Sequence, residues 1–504
     1  MTQQTFDQKT SEFLNWFRAQ PGTTFHDDIE VRDLRDRGAG RGIVAKADIS
    51  PDTILFTIPR QSIICTNTSL LATKIPDLFS PPEEHEWAGH DMNSEAEDGE
   101  DDDVTDTSQD SWTSLILVLI YEYLQGASSS WRPYLDVLPT IGDFSTPMFW
   151  AADELAELQA SPVAGKVGKD EAEKMVRTKI LPVVRAHPAV FFPEGSAELS
   201  DEELVQLAFR MGSVIMAYAF DLEKEDDEEK DDEDAEDAEE EDEWVEDREG
   251  KTMLGMVPMA DILNADATFN AHVEHGEHAL TATSLRPIKA GEEILNYYGP
   301  LSNGELLRRY GYTTRAHRRW NLVDLAWEPT VLAALRAELP LPAKEWEKVL
   351  GSLDEDELEE ASVIERGAED PDSEGRVSEV EKAAGAPEEL VEQLKVVMKA
   401  VKKVKPDAVP DKAARDRLIY SAIARALDER TRQYGTTLEQ DIKQYEEGTD
   451  GADQKLRRQR MALDVRIGEK VLLRQAAESV KAKLAELAKA ESDGEKPSAK
   501  RRRV

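Results

Sequence analysis

The sequence predicts an α+β fold: a β-rich first part split by a helical insert, followed by an all-helical second part. Three observations predict it. Short β-branched runs broken by glycine and proline occupy 28–60 and return at 253–314. Between these runs, and again after about residue 325, apolar residues recur at helical spacing. Two acidic runs, at 95–106 and 223–243, are too polar to bury a core.

Taken in order, residues 5–20 predict an amphipathic helix with Phe6, Phe13, Leu14, Trp16 and Phe17 as its apolar residues. IEVRDL, GIVAKADI and TILFTIP read as short strands, punctuated by Gly38, Gly40, Gly42, Pro51 and Pro59. Residues 80–110 read as an acidic disordered insert, and helices are expected over 111–126, 151–160, 168–186 and 200–222. The run at 223–250 reads as a solvated loop, because like charges at i, i+4 destabilise a helix. MLGMVPMADILN, AHVEH, HALTATSLRPI and EILNYYG are the returning strands. Helical periodicity covers 330–350, 377–404, 410–432, 434–447 and 452–490, with a loop at 353–375. The expected organisation is an N-terminal helix (1–24), a β-containing domain (25–315) holding the acidic insert 80–110, the helical insert 111–222 and the acidic run 223–250, a helical domain (325–490) and a basic tail (491–504).

The chain has 504 residues, with 61 Lys and Arg against 104 Asp and Glu, a formal net charge of −43. Such a surface repels phosphates and anionic lipid, which excludes nucleic-acid binding through the whole surface. The charge is uneven: residues 223–243 hold 17 acidic and 2 basic residues, so much of it sits in low-complexity sequence. Cys65 is the single cysteine, which excludes an intramolecular disulfide and a cysteine zinc cluster and fits a reducing compartment. The N-terminal stretch lacks a cationic start followed by an apolar run, so no signal peptide is expected. Leu115–Leu124 is too short to span a bilayer and contains Glu122, so a buried helix and a soluble intracellular protein are expected.

The chain contains no GxxxxGK[ST], HExxH or GxSxG sequence. His272, His275 and His278 are closely spaced, but no cysteine supports a metal site and surface positions are expected for them. Gly38-Ala39-Gly40-Arg41-Gly42 allows close backbone approach to a ligand, and equally a tight turn between strands. It is no dinucleotide fingerprint, because a strand pattern follows where a helix is needed. The densest segment, Met253 to Thr314, gathers Asn264, Asn270 and Asn296 with Tyr297, Tyr298, Tyr310 and Tyr312. Buried amides and phenols need partners, so this cluster is either a costly core or a site.

In combination, RGAGRGIVAKADI, MVPMADILNADATFN, EEILNYYG and LLRRYGY resemble four ordered motifs of the SET-domain protein-lysine methyltransferases. The helical insert and helical second part resemble the Rubisco large-subunit methyltransferase type. IMAYAF (215–220) and SSWRPYLDVLP (129–139) are most similar to the fungal ribosomal lysine N-methyltransferase 4 branch and its animal relatives, which methylate transcription-factor lysines. The resemblance covers about 25–320 in sequence and the rest at the level of fold; it implies a β-rich SET fold and a substrate-binding role for 325–490.

The resemblance also implies a reaction: in-line transfer of a methyl group from S-adenosylmethionine to a neutral lysine amine, requiring alignment and no metal. Tyr298 is the implied catalytic residue. Ala39, Gly40, Arg41, Tyr218, Asn264, Ala265 and Tyr310 are the implied cofactor positions, and Trp131, Ala219 and Asp221 the implied substrate side. Ala265 departs from the family, many members of which carry histidine there. Tyr297 is expected to be structural, because adjacent strand residues face opposite sides. The implied product is a monomethylated lysine of a large-subunit (60S) ribosomal protein. A histone or transcription-factor lysine, or a non-catalytic acidic chaperone for basic proteins, is the alternative. The expected partners are a basic protein substrate and an import receptor engaging KPSAKRRRV, with no direct nucleic acid and no membrane; a monomer is expected, in the nucleus with the cytoplasm as a second location.

Overall fold

The structure is a computed structural model and describes residues 5–79, 111–223, 252–353, 358–378, 382–448 and 453–494. The acidic insert 80–110, residues 224–251 of the acidic run and the tail from 495 lie outside the described residues. The class is α+β, and the chain divides into two compact units.

The first unit joins Met1–Asp143, Lys169–Ala265 and Phe269–Tyr297. It starts with the helix Phe6–Ala19, capped by a reciprocal pair in which Gln8 N–H donates to the Thr5 hydroxyl and Thr5 N–H to the Gln8 side chain. Phe13 and Phe17, one turn apart, are fully buried. Among the described residues ten short strands follow: β1 (Thr24–Phe25), β2 (Ile29–Asp33), β3 (Arg41–Ala45), β4 (Ile54–Pro59), β5 (Ala219–Glu223), β6 (Thr252–Met256), β7 (Asn264–Ala265), β8 (Ala271–His275), β9 (Ala279–Ser284) and β10 (Glu293–Asn296). They pair as β1-β4-β9-β8, β2-β3-β10-β7 and β5-β6. The second sheet positions the site. There β10 runs antiparallel to β3 and parallel to β7, so segments distant in sequence become neighbours.

The helix Ser111–Leu124 is buried on nearly every side, as its all-round apolar sequence requires. Its one carboxylate, Glu122, accepts hydrogen bonds from Ser69 and Ser129, both at 2.7 Å. No helix among the described residues is long and apolar enough to cross a membrane. The helix expected over 200–222 begins at Asp201, behind a Ser200–Glu203 capping box, and ends early, at Tyr218. The next five residues form β5, because TMLGM supplies a full antiparallel ladder, Ala219 opposite Met256. Strand pairing here overrides a local pattern that could have continued the helix.

The second unit joins Phe144–Gly168, Asp266–Thr268 and Tyr298–Val504. Its core packs Leu390, Leu394 and Val397 of the helix Glu388–Val404 with Ile419 and Ile423 of Lys412–Arg432 and Leu472 and Leu473 of Gln454–Gly494. The expected loop at 353–375 contains a strand, β12 (Ala361–Ile364), which pairs with β11 (Val323–Ala326). Its alternating burial, with Ser362 and Ile364 inside, is the period-2 signature that the acidic flanks obscured. Residues 144–168 pack on the last helix, where Trp150, Leu158 and Val163 meet Ala462 and Val465. The same helix carries a buried ion network: Asp441 lies 3.0 Å from Arg466 and 2.5 Å from Lys470.

Candidate active site

The glycine-rich stretch forms the turn between β2 and β3. Leu34 N–H donates to Gly40 O at 2.9 Å and Ala39 N–H to Leu34 O at 3.2 Å. Gly38 takes φ +83°, which a side chain would strain. A Cβ at Gly40 would meet nothing within 4 Å, so the main chain is open to a ligand there. Two residues on, Gly42 is crowded: a Cβ would stand 2.4 Å from Leu34 Cδ1, 2.8 Å from Glu293 Oε1 and 2.9 Å from Asn264 Nδ2.

The side chain of Arg41 anchors this turn. Its Nε donates to Thr10 Oγ1 and its Nη1 to Val137 O, both at 2.9 Å, and its guanidinium lies 3.9 Å from the Phe6 ring centre. Burial, helped by the charge of Arg35, pulls its pKa down to about 10, so it is still a cation at neutral pH.

Asn264 opens β7. Its Nδ2 donates to Arg41 O at 3.1 Å and to Glu293 Oε1 at 2.7 Å, tying the glycine turn to the start of β10. Asn270, 1% exposed, clamps the same strand: Oδ1 accepts from Leu295 N–H at 2.8 Å, Nδ2 donates to Glu293 O at 2.9 Å, and its own N–H bonds Leu295 O. Two of the amides singled out in the sequence, half-buried Asn264 and buried Asn270, are thus paired, and they fix the strand that leads into Tyr297 and Tyr298. Ala265 lies opposite Asn296 across the parallel pair.

The turn before Asn264 is strained. Met259, fully buried, has φ +83°, a conformation that costs a residue with a Cβ about 1–3 kcal/mol. Its N–H donates to Asp261 Oδ1 at 3.1 Å, and Asp261 Oδ2 accepts from Tyr134 OH at 2.6 Å. Burial pushes the Asp261 carboxyl up to about 7 against these hydrogen bonds and the pull of Arg41. Burial beside Asp261 holds the Tyr134 phenol well above its ordinary range, and Tyr218 is close enough to raise it further.

Tyr218 ends its helix and Ala219 begins β5. Asp221, exposed, lies opposite Leu254. The indole N–H of Trp131, a buried residue, donates to Ser62 O at 2.9 Å, so the polar end of that ring is engaged by the main chain. Tyr297 stacks on Phe269, with ring centres 4.8 Å apart and 14° between planes. His272 and His275 are exposed, and the described residues hold no group of three metal-ligating side chains.

In the second unit Tyr298 and Tyr310 stack 4.7 Å apart at 15°. Burial pushes the Tyr310 phenol up to about 12, so it stays neutral. Tyr310 ends the helix Asn303–Tyr310, which Gly311 closes at φ +77°; a Cβ there would strike the backbone of Ser145 and Thr146 at 2.9 Å. Beyond it, His317 Nδ1 lies 3.6 Å from Asp266 Oδ1. Burial holds His317 down to about 4 and pushes Asp266 up, so the imidazole is neutral at pH 7 and no full ion pair forms.

Within its unit the structure therefore joins Arg41 directly to Asn264, with Tyr218 acting electrostatically on Tyr134; in the other it joins Tyr298 to Tyr310. Sequence reasoning singled out Gly42 as part of the glycine turn but missed Glu293, Tyr134 and Asp261. Asp261 stands three residues before Asn264, but nothing local to it announces Tyr134, 127 residues away.

A SET-domain profile matches residues 40–299, and a profile described as Rubisco LSMT substrate-binding matches 378–473. Ribosomal lysine N-methyltransferase 4 of Saccharomyces cerevisiae is 31% identical over 331 residues, which cover 65% of this chain and 60% of that protein. N-lysine methyltransferase SETD6 of Homo sapiens is 30% identical over 279 residues, 54% of this chain and 48% of its own length. The chain thus spans about half to three-fifths of the curated relatives it matches. The crystal structure of the SET domain of LSMT bound to lysine and AdoHcy superposes with a TM-score of 0.59 at 17% identity, covering 96% of this chain and 94% of that one. Rubisco LSMT bound to AdoMet gives 0.57, also at 17% identity, over 95% and 93%. At that identity the likeness establishes the fold.

Proposed function

The chain belongs to the SET-domain family, and we propose that it is an S-adenosylmethionine-dependent protein-lysine N-methyltransferase. The observation that carries this reading is the double hydrogen bond of Asn264, which holds the glycine turn against the strand leading into Tyr298. The residues fit the cofactor. Gly40 leaves the main chain open, and the main chain of Ala39 and Arg41 with Asn264 and Ala265 would hold its polar ends. Tyr218 would pack against it; for Tyr310 that role is only what the resemblance to the family implies. Bound S-adenosylmethionine supplies a methyl group made electrophilic by its sulfonium.

Tyr298 is the catalytic residue in this reading. Its phenol accepts a hydrogen bond from the target amine and fixes the direction of the lone pair, so alignment supplies most of the acceleration. Its ring is held in place by the stack on Tyr310, whose neutral phenol adds no charge beside the reacting cation. Trp131, Ala219 and Asp221 line the lysine side.

The substrate we propose is a lysine of a large-subunit (60S) ribosomal protein, monomethylated, as the similarity to the yeast ribosomal enzyme supports. A histone or transcription-factor lysine is the second reading, supported by the similarity to SETD6. Ala265, at a position where many members carry histidine, keeps a non-catalytic binding protein as the third. The basic tail KPSAKRRRV supports recognition by an import receptor and a nuclear location. The test is incubation with labelled S-adenosylmethionine and a ribosomal protein fraction. Label transfer that is lost in Tyr298→Phe supports the enzyme. Binding of the fraction without transfer refutes it.

A further inference from the structure

We infer that Tyr134 and Asp261 form a positioning pair that sets Asn264 against the Arg41 carbonyl and so governs cofactor affinity; the inference rests on the methyltransferase reading. A methionine does not hold φ +83° unaided. The Asp261 carboxylate supplies the restraint, with one oxygen on Met259 N–H at 3.1 Å and the other on Tyr134 OH at 2.6 Å. Main-chain bonds extend the grip: Asp261 N–H to Val257 O at 3.3 Å, Ile262 N–H to Met259 O at 3.1 Å and Leu263 N–H to Ala260 O at 3.2 Å. The next residue is Asn264.

Tyr134 is itself anchored. Its ring lies 6.0 Å from Phe13 and 6.4 Å from Trp16 of the helix Phe6–Ala19. Arg41 is held by the same helix, through Thr10 and Phe6, and by Val137, three residues beyond Tyr134. Both halves of the cradle therefore take their position from one platform, the Arg41 side through its own guanidinium and the Asn264 side through Asp261 and Tyr134. Among the described residues, the charged and titratable groups that act most strongly on Asp261 are Tyr134 and Arg41, with Tyr218 acting on Tyr134. The Tyr134 hydrogen bond holds the carboxyl lower than burial alone would.

The test uses the full chain and S-adenosylhomocysteine in titration calorimetry, with Tyr134→Phe and Asp261→Asn. Tyr134→Phe keeps the ring packing and loses one hydrogen bond. We expect its Kd to rise about tenfold while kcat at saturating cofactor changes less than about twofold. Asp261→Asn keeps an acceptor for Met259 N–H but loses the carboxylate facing Tyr134, and is expected to bind like the wild type at low pH, where the carboxyl is protonated. The pH midpoint of wild-type affinity is expected near 7, moved upward in Tyr134→Phe and absent in Asp261→Asn. An unchanged Kd and pH midpoint in Tyr134→Phe, with a lowered Tm, makes the pair merely structural and overturns the inference. A wild type that binds no S-adenosylhomocysteine overturns the methyltransferase reading as well, and so separates the two failures.

Discussion

Asn264 and Arg41 meet through a single hydrogen bond, Nδ2 to the carbonyl at 3.1 Å, in space that exists because residue 42 has no side chain. Gly42→Ala would bring a Cβ within 2.9 Å of that nitrogen and closer still to Leu34 and Glu293. The expected cost is about 1–3 kcal/mol of stability, with weakened cofactor binding beyond what the lowered Tm explains. Calorimetric affinity beside thermal melting checks this; a neutral Gly42→Ala removes the close-approach argument.

Tyr298→Phe is expected to slow methyl transfer by on the order of a hundredfold with little change in Tm, because the stack on Tyr310 needs only the ring. Tyr310→Ala removes a partly buried ring and is expected to cost less than the about 3–5 kcal/mol of a fully buried aromatic, seen as a modestly lowered urea midpoint. A Tyr298→Phe variant as fast as the wild type would move the catalytic assignment elsewhere.

Glu469 gives the second unit a pH-dependent stability. Burial raises its carboxyl to about 7, against hydrogen bonds from Ser161 at 2.6 Å and Tyr434 at 2.7 Å. A folded pKa above the unfolded value means that its contribution is complete below about 4.5 and is lost as pH rises through about 7. His317 acts in the other direction: lowered to about 4, its contribution is present above 6.5 and lost as pH falls. The two slopes largely cancel between about 4.5 and 6.5, so stability is expected to be flat there and to fall only as pH rises on to about 7, and Glu469→Gln to remove that alkaline fall. Melting curves from pH 4 to 9 test this, and parallel alkaline slopes in both proteins refute it.

Asp441→Ala leaves Lys470 buried without a carboxylate and Arg466 with only Glu157, whose Oε2 lies 3.3 Å from its Nη1. The expected loss is about 3–5 kcal/mol, whereas replacing all three residues together by apolar ones is expected to cost far less. Denaturant midpoints of the single and triple variants distinguish a structural network from a merely coincidental cluster.

The run at 223–243 carries 17 acidic residues, and long-range attraction would speed encounter with a basic substrate. Its deletion is expected to lower kcat/KM on full-length substrate about tenfold at low salt, with the difference vanishing at high salt. Equal turnover at low salt rejects steering.

Much of the fold was legible because period and punctuation agreed. The helix Phe6–Ala19, the strands around the glycine turn and the long helices of the second unit all follow their patterns. Two of the departures share one cause. Ala219–Glu223 and Ala361–Ile364 are strands because a partner reaches them, and a partner is not a local property. The site follows the same rule. Asn264 and Asn270 were recognisable as amides that needed partners, but Glu293 as the acceptor, and Tyr134 as the anchor of Asp261, depend on which segments the sheet brings together.

The packing of residues 144–168 on the helix Gln454–Gly494 also sets a timetable. Ser161 finds Glu469 308 positions later, and Gln454 finds Phe144 across 310. Closing a loop of that length costs about 3 kcal/mol more than closing one of ten residues. At roughly 5–20 residues per second, a ribosome needs on the order of 15–60 s to make the later partner after the earlier one. Throughout that interval Trp150, Leu158 and Val163 have no Ala462 or Val465 to cover them. The nascent second unit is thus an exposed apolar surface for most of its own synthesis, and its yield depends on what shields that surface until the last helix arrives.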